Sequence, residues 1–304
     1  MPTKHARLKL IASASTQSSC DRSKIRNIAC TAVSKHQLEC MNNPKSVEQG
    51  ILDVYMAAFK CYLIGDAEVE SKLRLIKQHF VNRDYAAIFN NDAGLLRTYS
   101  ATYAPCRALL FHDFFVKHER LQHALSNCNV VFSLGSGTGA ELVGLTAALL
   151  QCRKHEIVVP NASSNTNPIV FHVQDMADYS SCLTDLTASM SIWQLPRAFE
   201  TRFTIADVAS PDTEAYMIAN VAEADVITCF FILNELLQAD KTGFVRLITS
   251  KREYMAYTFL DLLVGWTMLA KEDSCWYRFP PGLSYPTPLQ NSRYYYRILQ
   301  KNAS

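Results

Sequence analysis

Residues 130–141 read VVFSLGSGTGAE: a short apolar run, three glycines at alternate positions, then a small residue and an acid. The apolar run has the length of a buried strand, and the residues after the glycines (AELVGLTAALL) have the composition of a helix. Alternating glycines between a strand and a helix let the backbone approach a ligand closely, while the first N–H groups of the helix face it. No Gly-Lys-Ser/Thr follows, so a phosphate-binding P-loop is excluded. Two patterns remain open. Gly135, Gly137 and Ala140 satisfy the G-x-G-x-x-A of dinucleotide sites; Gly135, Gly137 and Gly139 satisfy the G-x-G-x-G of class I methyltransferases.

The chain downstream alternates. Strands are expected at 129–134, 169–174, 202–207 and 225–231, with helices at 138–151, 180–191, 212–222 and 235–249. Such alternation predicts a mainly parallel sheet covered by helices on both faces. A ligand across the carboxyl edge of that sheet is gripped at the strand ends. Asp175 ends the second of these strands, where a carboxylate can accept from both hydroxyls of a ribose. Asp207 ends the third, where it can meet the exocyclic amine of an adenine. Asp at such junctions also serves as a plain helix cap. A nicotinamide enzyme would carry its ribose acid about 20 residues past the glycines, and there the chain offers EIVVPNASS. The stretch 153–168, rich in Pro, Asn and Ser, reads as an inserted loop that would account for the later position of Asp175.

Upstream, residues 42–123 read as mostly helical. Ser46 and Gln49 form a capping-box pattern before Val47, Ile51, Val54, Tyr55, Ala58 and Tyr62 at helical spacing. Val69, Leu73, Ile76 and Phe80 share a face of a second helix, and Pro105 suits the first turn of a third. Residues 1–40 hold seven Lys/Arg against two acids and read as a flexible, basic, Ser-rich arm, with one apolar patch from Leu8 to Ala14. A net charge of +2 gives no argument for nucleic acid by itself. No apolar run approaches the roughly 18 residues of a spanning helix. The ten cysteines include no closely spaced pair, which disfavours zinc ribbons and redox motifs and favours free thiols in a reducing compartment. The histidines show no metal spacing, and no metal is expected.

Several segments taken together resemble the fungal-type S-adenosylmethionine-dependent methyltransferases that include the large-subunit rRNA uridine-N3 methyltransferases. They are FVNRDYAAIF (80–89), YAPCRALLFHDFF (103–115), FSLGSGTGAELVGL (132–145), VQDMADYSSCL (173–183), ITCFFILNEL (227–236), KTGF (241–244) and DSCWYRFPPGLSYPTPLQNSRYYYRI (273–298). The resemblance implies a class I, Rossmann-like α/β fold with S-adenosyl-L-methionine as cofactor. It places Gly135, Gly137, Gly139 and Glu141 around the methionine part, Asp175 on the ribose, Met176 beside the adenine and Asp207 on its amine. Cys229, Phe230 and Phe231 would line the floor, and Asn234 and Glu235 would face the transferred methyl. Two departures stand out. Many class I methyltransferases carry an acid where this chain has Ser133. A fifth strand is also missing from its place, because Leu247 to Ser250 run straight into KREYMAYTFLDLLVGW, which reads as helix. Either another segment fills that central slot or this form of the chain lacks it.

The expected organisation is a flexible basic arm (1–41), a helical region (42–123) and a Rossmann-like methyltransferase domain (124–304). The expected activity is methylation of large-subunit rRNA at uridine N3, with Glu235 as base and Asn234 orienting the acceptor. The alternatives are a protein or small-molecule methyltransferase, or a catalytically inactive Rossmann-like binding protein. Lys72, Arg74, Lys77, Arg83 and Arg107 are candidates to position an RNA backbone. Tyr294, Tyr295 and Tyr296, which could stack bases, read better as alternating core and edge positions of a strand. An intracellular location, nuclear, nucleolar or cytoplasmic, is expected with no membrane partner.

Overall fold

The computed structural model describes residues 8–13, 44–63, 67–82, 84, 87–88, 92–155, 168–193, 195, 199–208, 210–232 and 265–302. Its strands are β1 (Leu8–Ser13), β2 (Val130–Leu134), β3 (Ile169–Asp175), β4 (Phe199–Ile205), β5 (Val226–Phe231), β6 (Trp266–Tyr277) and β7 (Ser292–Lys301). Its helices are α1 (Pro44–Phe59), α2 (Ala67–Asn82), α3 (Ala93–Lys117), α4 (Glu119–Asn127), α5 (Ala140–His155), α6 (Ser180–Met190) and α7 (Glu214–Glu223). The strands form one sheet in the order β4-β3-β2-β5-β1-β7-β6. The first five in that order run parallel, and β7 is antiparallel to both its neighbours.

The missing fifth strand is supplied by the other end of the chain. Leu8–Ser13 lies between β5 and β7, with Leu8 opposite Val226, Ser13 opposite Phe231 and Ile11 opposite Arg297. This corrects the flexible-arm reading for these six residues. Central parallel strands are apolar runs, and LKLIAS is the one such run in a stretch otherwise dominated by charge and serine.

Side chains of the sheet alternate between two cores. Val131, Phe171, Val173, Val226, Phe230 and Ile298 pack with α1, α3, α5 and α6, whereas Phe132, Leu134, Ile227, Cys229 and Leu299 pack on the other face with Met217 of α7. The expected face of α2 is inward, with Ile76 fully buried.

Two local expectations change. Helix α1 begins at Pro44, which is pre-organised for a first turn, so Ser46 lies inside the helix. Gln49 serves a different end: its amide bonds the backbone N–H and carbonyl of Ser284. Pro105 lies in the middle of α3, not at its start; Asp92 caps that helix by accepting from Gly94 and Leu95. A mid-helix proline leaves the carbonyl four residues earlier without its donor. That carbonyl is Ala101 O, and the Tyr285 hydroxyl donates to it at 2.6 Å. Gln290 N donates to Cys106 Sγ at 3.3 Å one turn further on. The β6–β7 connection is thus fastened onto α1 and α3 at the proline.

Candidate active site

At the carboxyl edge of β2 the three glycines of the loop all have positive φ, 61°, 56° and 90°, a region costly for any side chain. A Cβ on Gly135 would come within 1.9 Å of Ile232 Cδ1, so the segment leaving β5 closes directly on the loop. A Cβ on Gly137 would meet none of the described residues within 4 Å. Ser136 Oγ is buried and finds no hydrogen-bond partner among the described residues.

Asp175, the last residue of β3, is buried beneath this loop. Its Oδ2 accepts from Gly137 N at 2.9 Å and its Oδ1 from Met176 N at 2.7 Å. Burial pushes its carboxyl up to about 6 despite these bonds. Met176 projects from the adjoining turn and is 61% exposed. Asp207 is exposed just past β4, and that strand end is tied to β3 by Ala206 N donating to Asp175 O at 2.8 Å. The two acids therefore stand at equivalent strand ends, one in the loop and one at the surface.

Ser133 belongs to a network invisible in the sequence. It pairs in register with Thr228 of β5, their hydroxyl oxygens 2.8 Å apart, and Thr228 donates to Glu141 Oε2. Glu141, in the first turn of α5, is 2% exposed. Burial raises its carboxyl to about 7, opposed by bonds from Thr228, Ser133 and the Phe230 N–H, and reinforced by Asp175. A carboxylate thus lies beside Ser133 after all, delivered by the helix and not by the strand. A hydroxyl on each of two neighbouring buried strands, both facing the loop's helix, was the only signal available.

The residues expected on the floor divide between the faces. Phe230 packs into the helical core, stacked on Phe111 with centroids 4.2 Å apart, whereas Cys229 belongs to the opposite core. Phe231 has a φ of 57°, a left-handed conformation that a bulky residue adopts only when its surroundings hold it there. Arg107 of α3 lies over its ring at 5.4 Å and over Tyr99 at 5.9 Å. Of the other candidate cations, Lys72 and Arg74 pair with Glu68 and Glu70 on their own helix, and Arg83 lies outside the described residues. So do Asn234 and Glu235. Tyr294 and Tyr296 pack edge-on against Phe114, and Arg297 is buried and paired with Asp273. Among the described residues, no group of three or more His, Cys, Asp or Glu could hold a metal ion, and no helix is long and apolar enough to cross a membrane.

A seven-stranded sheet of this order, with β7 alone antiparallel to its neighbours and a glycine loop between its first alternating strand and helix, is that of a Rossmann-like methyltransferase. Comparison with known proteins agrees. The family profile described as "Putative SAM-dependent methyltransferase" matches residues 55–264 and 247–300. The chain belongs to this family and is an S-adenosylmethionine-dependent methyltransferase. It is 26% identical over 327 residues to the 25S rRNA (uridine(2843)-N(3))-methyltransferase of Saccharomyces cerevisiae, covering 88% of this chain and 89% of that one. A solved structure described as "Conversion of a Disulfide Bond into a Thioacetal Group during Echinomycin Biosynthesis" is 12% identical, with a TM-score of 0.26 over 57% of this chain and 76% of that one, too slight a likeness to bear on either fold or function. The site suits the cofactor chemically: no described residue crowds the backbone at Gly137, the buried Ser136 hydroxyl has no hydrogen-bond partner among the described residues, and two buried carboxyls, Glu141 and Asp175, lie beside the loop.

Proposed function

We propose that this enzyme methylates N3 of a uridine in large-subunit ribosomal RNA. The observation that carries the reading is the likeness to the yeast rRNA methyltransferase, which runs through nearly the whole of both chains, helical region included. An rRNA substrate would put the enzyme in the nucleolus or with cytoplasmic ribosomes.

S-adenosylmethionine supplies an electrophilic methyl group on sulfur. The protein's own tasks are to orient the acceptor in line with that bond and to keep water out. In this reading Gly135, Gly137, Gly139 and Glu141 surround the methionine part. Asp175 exchanges its bond to Gly137 N for one to the ribose, Met176 covers the adenine, and Asp207 accepts from its amine. Cys229 and Phe231 close the base of the site. A uridine imide is a poor nucleophile until N3 loses its proton, and Glu235, after β5, takes that proton while Asn234 orients the base. The target nucleotide has to leave its stack to reach them.

The test is transfer of tritiated methyl from S-adenosylmethionine to rRNA from cells lacking the protein, with nuclease mapping of the product. Labelled 3-methyluridine is expected, lost in Gly137→Asp and lowered at least a hundredfold in kcat in Glu235→Gln. Label confined to protein or small molecules would overturn the rRNA reading.

A further inference from the structure

The outer hairpin of the sheet carries an unusual surface. Trp276, near the end of the edge strand β6, is 59% exposed, although tryptophan is among the costliest side chains to leave in water. Directly opposite it on β7 is Arg293. That arginine is exposed, and Ser274 Oγ accepts from its Nε at 3.1 Å. The neighbours Tyr277, Tyr294 and Tyr296 turn to the helical side, where they are buried against or packed on the core, so Trp276 and Arg293 share the opposite face. Arg278 follows Trp276 by two residues and is also exposed, while Asp273, earlier on the same strand, is engaged by the buried Arg297 at 2.6 Å.

The strand register locates this pair relative to the active site. Cys229 of β5 is level with Ile11, Arg297 and Lys271 across β1, β7 and β6. Both Phe231 and Arg293 lie beyond that level toward the same edge, Arg293 two residues further. The pair therefore stands about 7 Å past the level of Phe231, with Arg293 two strand spacings, about 10 Å, to its side and Trp276 three, about 14 Å. That is a span of a few nucleotides.

We propose that Trp276 and Arg293 form a platform for single-stranded RNA beside the methylated uridine, with one base stacked on the indole and the adjoining phosphate on the guanidinium. The inference rests on the RNA reading of the site. An exposed aromatic beside an arginine is the combination that binds single strands without demanding a sequence. It would hold the flanking strand while the target base is turned out.

The test uses the full-length chain and a fluorescein-labelled single-stranded oligoribonucleotide containing the methylated position. Trp276→Ala is expected to weaken binding about tenfold, Trp276→Phe to stay near wild type, and Arg293→Ala to weaken binding and reduce the salt slope by about one. S-adenosylmethionine affinity should not change in any of them, and in turnover KM for RNA should rise with kcat held. Trp276 is the one exposed tryptophan of the three, so RNA should quench fluorescence in the wild type that is absent in Trp276→Phe. If the wild type binds the oligonucleotide and Trp276→Ala binds it equally well, the platform is wrong and the rRNA reading stands. If the wild type binds no RNA, both fall. Loss of a protein partner in Trp276→Ala with RNA binding intact would overturn it in favour of a protein interface.

Discussion

The two buried acids make the glycine loop sensitive to pH. Glu141 titrates at about 7 in the folded chain against 4.5 for an ordinary glutamate, because burial opposes its charge. The native state therefore holds a proton that the unfolded chain has already released between those values. Stability from this group is complete below pH 4.5 and is lost as pH rises through 7. Asp175 acts in the same direction over the range 3.8 to about 6. Glu141→Gln keeps the shape without the charge, so the fall in unfolding free energy between pH 5 and pH 8 should be smaller by about 2–3 kcal/mol in urea titrations; an unchanged difference would show that Glu141 is not buried as described. The glycines separate just as clearly. Gly137→Ala meets no described residue and should cost only its backbone strain, about 1–2 kcal/mol, while weakening cofactor binding. Gly135→Ala must also displace Ile232 and should lose a further 1–3 kcal/mol, which thermal melts of the two variants would compare. The glycines and the acids at 175 and 207 were legible because they depend only on local strand–turn–helix pattern. The Ser133–Thr228–Glu141 network was not, because it exists only once two strands 95 residues apart are in register.

At the scale of elements, α3 shows how a local rule yields to tertiary context. Pro105 argued for a helix start, and in an isolated segment it would be one. Here twelve helical residues precede it, held by Leu95, Leu96, Tyr99 and Ala101 in the core. The exposed cost is the carbonyl of Ala101, met by Tyr285 from 184 residues away. Tyr285→Phe should therefore destabilise the protein by about 1–2 kcal/mol, the cost of a buried acceptor left without a donor. In a Pro105→Ala background the helix supplies its own N–H to Ala101. The same Tyr285→Phe change should then cost much less, a coupling that a double-mutant cycle in urea would measure. Equal costs in both backgrounds would mean that the hydroxyl serves something else. The capping-box reading at Ser46 failed for a related reason: Gln49 is engaged with Ser284, a partner no local window contains.

For the whole molecule, the order of strands in space differs from their order in sequence, and this sets how the fold is completed. The alternation downstream of residue 129 predicted the parallel sheet, and the gap after β5 was also legible, but not what fills it. LKLIAS is too short and too embedded in charge to announce a central strand; only the vacancy between β5 and β7 gives it a place. Its partners lie about 220 and about 290 residues further along the chain, so β1 waits for the C-terminal strands to be made before it can pair, the kind of long-range closure that slows folding. Without it, β5 and β7 would present unpaired edges inside the sheet and the apolar faces of both cores would be breached. A chain beginning at residue 8 should melt within a few degrees of the full-length protein and bind S-adenosylmethionine normally. One beginning at residue 14 should lose cooperative unfolding and aggregate on expression, and a peptide spanning residues 1–20 added during refolding should restore soluble protein, because the slot asks only for a strand of this register. Wild-type melting and cofactor affinity in the chain lacking residues 1–13 would show that the sheet closes without β1, and that β5 and β7 find another partner.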